Sequence, residues 1–93
     1  MDARYYIDPG TGEPHIYRHS INEREVEDVL DRPIEDRPGR EGSRVAIGRT
    51  RGGRFLRVIY VPDGLRGSVF VITAYELGRK ALRALRRRRK NKA

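Results

Sequence analysis

The sequence predicts an α+β fold in which a helix, an antiparallel β-meander and a C-terminal helix follow one another. Three observations predict it. Residues 43–76, SRVAIGRTRGGRFLRVIYVPDGLRGSVFVITAYE, hold three runs rich in Val, Ile, Phe and Tyr, side chains that suit a pleated, half-buried surface. Two glycine-rich breaks, RTRGGR and PDGLRG, separate the runs: Gly52 and Gly53 suit a tight hairpin, and Pro62, Asp63, Gly64 and Gly67 a longer turn. Apolar residues at helical spacing flank the stretch on both sides.

In chain order, MDARYYIDPGTGEP has Pro9, Gly10, Gly12 and Pro14 as turn markers, so residues 1–14 are expected to be loosely held, with a short strand around Tyr5 and Ile7. HIYRHS reads as a second short strand, with Ile16 and Arg18 on one side and His15, Tyr17 and His19 on the other. A helix begins after Asn22. That residue is a good N-cap, Glu25 completes a capping box, and Ile21 can staple onto Val26. Glu23, Glu25 and Glu27 favour the positive end of this helix, Val26, Val29 and Leu30 form its buried stripe, and Pro33 stops it near Arg32. PIEDRPGREG, residues 33–42, reads as a loop into the sheet.

The third run, SVFVITAY, is apolar on both faces and suits an internal position, which the N-terminal strand would supply by pairing beside it. A second helix follows Gly78, with Leu77, Ala81, Leu82 and Leu85 on one side; both helices are expected on one sheet face, leaving the other free. RRRRKNKA has no apolar stripe, so residues 86–93 are expected to fray or to order on a partner.

A chain of 93 residues is expected to be one domain, 1–93, with enough core to fold unaided. It has no cysteine, hence no disulfide framework, thiol nucleophile or Cys-ligated zinc. No apolar run approaches the length of about 20 residues that spans a bilayer, and the start lacks a signal-peptide pattern, so the expected location is the cytoplasm. The net charge of +8 is unevenly spread: residues 1–42 carry 11 acids and 6 bases, residues 43–93 carry 2 acids and 15 bases. That asymmetry points to a polyanionic partner, with nucleic acid ahead of an acidic protein.

One arginine is out of place. Alternation in RFLRVIYV puts Leu56, Val58 and Tyr60 on one face and Phe55, Arg57, Ile59 and Val61 on the other, so Arg57 interrupts an apolar row. A guanidinium stays charged, so it must reach solvent, a carboxylate from a helix, or an anionic ligand.

HSINEREVEDVL, SRVAIGRT, GRFLRVIYV and VFVITAYEL, in that order, resemble the BrnT-like toxins and a related small domain family without assigned function, over roughly residues 15–85. The resemblance implies a RelE-like fold, a ribonuclease toxin of a toxin–antitoxin pair acting on RNA, including ribosome-bound RNA, and an antitoxin covering the active face. BrnT-like proteins end the last strand with Ala-Arg; here Ala74-Tyr75 stands in that place, which brings the chain closer to the unassigned relatives.

Metal-free RNA cleavage needs a base for the 2′-hydroxyl, charge to stabilise the phosphorane and an acid for the leaving oxygen. Histidine titrates near neutrality, which makes His19 the acid–base candidate; the duller alternative is a histidine that only bonds backbone before a helix. Arg57 and Arg49 are candidates to grip phosphate, and Arg44 and Arg54 to add positive field. Tyr75 can stack on a base or donate a proton, or simply end an apolar strand with a wet hydroxyl. Arg83, Arg86 and Arg87 would track a phosphate backbone. His15, after Pro14, reads as a turn residue. Two histidines make a weak metal site at best, and neither a metal nor a cofactor is expected. The alternative functions are a non-catalytic nucleic-acid-binding module on the same basic face and a domain whose tail meets an acidic protein. An unpaired edge strand would permit a homodimer.

Overall fold

The computed structural model describes residues 2–64 and 67–91. Strand β1 (Asp2–Tyr5) is followed by a 3-10 helix (His15–His19), helix α1 (Glu23–Asp31), strands β2 (Glu35–Pro38), β3 (Arg44–Arg49), β4 (Phe55–Pro62) and β5 (Ser68–Glu76), and helix α2 (Arg79–Asn91). The strands form one sheet in the order β1-β5-β4-β3-β2. The predicted meander is β3-β4-β5 and is antiparallel throughout, whereas β1 lies parallel to β5, so the α+β fold has a mixed sheet. β1 also makes β5 internal, the position its two apolar faces call for.

Helix α1 forms as its sequence requires. The Asn22 side chain accepts from the Glu25 amide and Glu25 accepts from the Asn22 amide, so the capping box is complete, and the helix stops at Arg32, before Pro33. Its Val26 and Val29, with Ile16 and Ile21, bury against Ala46, Leu56, Val58, Val71 and Ala74 of the sheet. Each fully buried Val, Leu or Ile contributes about 1.5–3 kcal/mol relative to exposure. The helix lies very close to β3: a Cβ at Gly48 would come within 3.1 Å of the Val29 side chain.

Four expectations change. HIYRHS is a 3-10 helix, because Pro14 starts a turn and Ser20, in the left-handed region, closes it. Residues 33–42 are not a loop throughout: Glu35–Pro38 pairs with β3 as an edge strand, where proline and charge are tolerated. Helix α2 lies on the face opposite α1, with Leu77, Ala81, Leu82 and Leu85 packed on Ile34, Val45, Ile47 and Phe55. Nor does the basic tail fray at 86: α2 runs to Asn91, built of good helix formers and tied by the Arg88–Glu35 fork, with bonds of 2.7 and 2.9 Å; residues 92 and 93 lie outside the described residues. Among the described residues, no helix is long and apolar enough to cross a membrane.

Strand β5 carries an irregularity that positions the site. Ile59 pairs with Thr73 and Tyr60 with Val71, so Ile72 is an extra residue bulged out of the ladder. Val71 and Ala74, three apart, therefore both face the α1 core. Helix α2 covers the β2–β3 side of the opposite face, and beside it Arg57, Ile59, Val61, Ile72 and Tyr75 line an open concavity of about 680 Å³.

Candidate active site

The site begins with a register pair. Arg57 of β4 lies opposite Tyr75 of β5, which puts both side chains on the α2 side of the sheet. Arg57 donates to the Tyr75 hydroxyl at 3.4 Å, and its guanidinium carbon stands 5.7 Å from the centre of the Tyr75 ring. The Arg57 Nε is buried without a hydrogen-bond partner, and so is the Oγ1 of Thr73, its neighbour on the next strand. Among the described residues no carboxylate pairs with Arg57. A guanidinium held this way is a donor set awaiting an acceptor.

The histidines arrive from the sheet edge. β1 pairs only with residues 68–71, so the last part of β5 runs on past it, and the 3-10 helix packs along that strand. His19 thereby reaches Tyr75, with ring centres 6.1 Å apart, and His15 meets His19 edge-on at 5.5 Å. Tyr6 closes the row against His15 at 6.1 Å.

His15 has a fixed orientation. Its Nδ1 lies 3.2 Å from Oδ2 of Asp8, a buried carboxylate that also accepts from the Gly10 amide at 2.8 Å and pairs with Arg18. The Gly10 bond, then the His15 and Arg18 contacts, hold the Asp8 carboxyl below its ordinary pKa against the opposing effect of burial. Backbone bonds from Asp8 to Glu13 and from His15 to Tyr6 close the intervening loop and set the imidazole's height over the sheet. A carboxylate on Nδ1 leaves Nε2 as the ring nitrogen that Asp8 does not engage.

Three predicted residues, His19, Tyr75 and Arg57, thus come together. The other predicted arginines are dispersed. Arg44 is on the opposite face, bonded to Asp36 at 2.8 Å beside Tyr60, whose hydroxyl donates to the same carboxylate; burial first, and then that carboxylate, push the phenol pKa up. Arg49 is exposed and lies over the Phe55 ring, 5.7 Å from its centre. Arg54 is bound by Glu25, Glu76 and the Ser20 carbonyl. Arg83, Arg86 and Arg87 are exposed on α2. Missed by sequence reading were the Asp8–His15 pair and the cations Arg37 and Arg40 at the concavity's rim. The Asp-Pro-Gly turn seven residues before His15 is the signal that pointed to the pair. Among the described residues no three His, Asp or Glu side chains converge as metal ligands.

A family model described as "Domain of unknown function (DUF4258)" matches residues 16–76, a span from the 3-10 helix through β5 that includes His19, Arg57 and Tyr75 and stops short of Asp8 and His15. No curated protein and no solved structure matches the chain.

Proposed function

We propose, for a chain that belongs to the DUF4258 family and takes no activity from that family's description, that the cluster around Arg57 cleaves RNA by internal phosphoryl transfer. The observation that carries this reading is the buried, unpartnered Nε of Arg57 on the open face, with Tyr75 and His19 beside it. In the step, one imidazole takes the proton of the 2′-hydroxyl as that oxygen attacks phosphorus. The bond from phosphorus to the 5′-oxygen breaks, and a second acid protonates the departing oxygen. The products are a 2′,3′-cyclic phosphate and a 5′-hydroxyl. Two neighbouring histidines suit the two roles, and Arg57 stabilises the extra charge of the phosphorane. The Tyr75 hydroxyl orients the guanidinium and lies within reach of the same phosphate.

The resemblance to BrnT-like toxins supports a toxin whose antitoxin covers this face in the cytoplasm. Induced expression in a bacterial host, with growth and total RNA followed, tests it beside His19→Ala and Arg57→Ala. Growth arrest with RNA ending in cyclic phosphate, relieved by either substitution, is the expected result; soluble protein with intact RNA overturns the catalytic reading.

A second reading, a binding module without catalysis, is favoured by the exposed Arg83, Arg86 and Arg87 along α2. It predicts RNA binding that weakens steeply with salt and no cyclic phosphate product.

A further inference from the structure

We infer that the concavity beside Arg57 is a nucleobase pocket that selects guanine next to the phosphate bound by Arg57. The inference deepens the proposed RNA reading by naming the nucleotide. At about 680 Å³ the concavity falls inside the range of roughly 300–1,000 Å³ typical of small-molecule sites. Its floor is apolar, made by Val45, Ile59, Val61 and Ile72, and Tyr75 and Arg57 stand at one end. An apolar floor with an aromatic and a guanidinium at its end suits a flat, weakly hydrated ring attached to an anion. Arg37 and Arg40 at the rim make the opening cationic, which complements the phosphates on either side of a base.

The choice of base rests on the turn between β2 and β3. Glu41 and Gly42 both have positive φ, 54° and 80°, and the Ser43 amide donates to the Arg40 carbonyl at 2.9 Å, so Arg40 and Glu41 stand together at the tip of a tight hairpin. Glu41 is the one carboxylate among the described residues lining the concavity. A carboxylate accepts and never donates when ionised, and the guanidinium beside it donates only. Guanine alone among the four bases offers two adjacent donors, N1–H and N2–H, next to an acceptor, O6. Its pairing edge therefore matches Glu41 and Arg40 together. Adenine, cytosine and uracil each put an acceptor against the carboxylate or lose one of the two bonds.

Calorimetric titration of the full chain with the four ribonucleoside 3′-monophosphates, and with inorganic phosphate, tests this. The guanosine compound is expected to bind at least about tenfold more tightly than the other three, the discrimination a good bidentate pair supplies. Glu41→Gln should remove that preference while binding of the adenosine, cytidine and uridine compounds holds. Arg57→Ala should weaken all four together. Four nucleotides binding no better than phosphate would overturn the pocket and leave an anion site; a preference that survives Glu41→Gln would overturn the role of Glu41. Neither result touches cleavage, which is read separately from cyclic phosphate formation on a mixed-sequence RNA.

Discussion

Arg54 and Arg57 stand three residues apart, and the fold treats them in opposite ways. Arg54, just before β4, donates to Glu25 of α1 at 2.9 Å and to Glu76 of β5 at 3.1 Å, and so ties a helix to the sheet edge. Hydrogen bonds to these two carboxylates raise its pKa against the opposing effect of burial. Arg57, inside the strand, meets a tyrosine and leaves Nε buried and unbonded. The difference separates two uses of positive charge in a strongly basic chain. Cations with carboxylates on both sides hold elements together; Arg57, which pairs with no carboxylate among the described residues, is left to an anion from outside.

The sharpest way to break the comparison is Arg57→Ala. RNA cleavage should fall by about a hundredfold or more, the scale for losing a charge-stabilising donor, while the urea midpoint stays where it is or rises, because an unsatisfied buried group has been removed. Equal activity, or an unfolded variant by circular dichroism, would place Arg57 in the structural class with Arg54. Arg54→Ala should do the reverse, lowering stability by about 1–2 kcal/mol in urea unfolding while nucleotide affinity holds. Gly48→Ala probes the seating of α1, the helix that Arg54 ties to the sheet: its Cβ would press on Val29, and a loss of about 1–2 kcal/mol is expected. Asn22→Ala opens the capping box beside the Glu25 that holds Arg54 and should cost about 1 kcal/mol. The smallest effect is one of pH. Asp8 has a folded-state pKa below its unfolded value of about 3.9, so its contribution is present above that value and fades as the pH falls through the folded pKa. Asp8→Asn should flatten that part of the acid limb of an unfolding curve, and an unchanged limb would show the carboxylate to be idle.

Much of this could be read from residues alone, where local chemistry had one answer. Asn22 with Glu25 gives a cap, the glycine-rich breaks give turns, and the alternation in RFLRVIYV gives the two faces of β4 with Arg57 on the less buried one. Reading failed where a distant partner decides. Glu35–Pro38 has poor strand propensity and is a strand because β3 offers its edge. Arg88 belongs to a helix rather than a loose tail because Glu35, 53 residues earlier, receives it. His15 looked like a turn residue, and what gives it an orientation is a carboxylate that the loop folds back onto it.

The extra residue at Ile72 bears on how this family's chains are to be aligned with one another. Before it, odd-numbered positions of β5 such as Val69 and Val71 look toward α1; after it, Thr73 and Tyr75 look away. Odd-numbered positions of β5 thus hold core before the bulge and site after it. Without Ile72 the ladder would be regular, with Val71 toward α1, Thr73 away, Ala74 toward α1 and Tyr75 away, still opposite Arg57. A relative that lacks that one residue therefore keeps the Arg57–Tyr75 pair, and an alignment that counts β5 by unbroken alternation would misplace it.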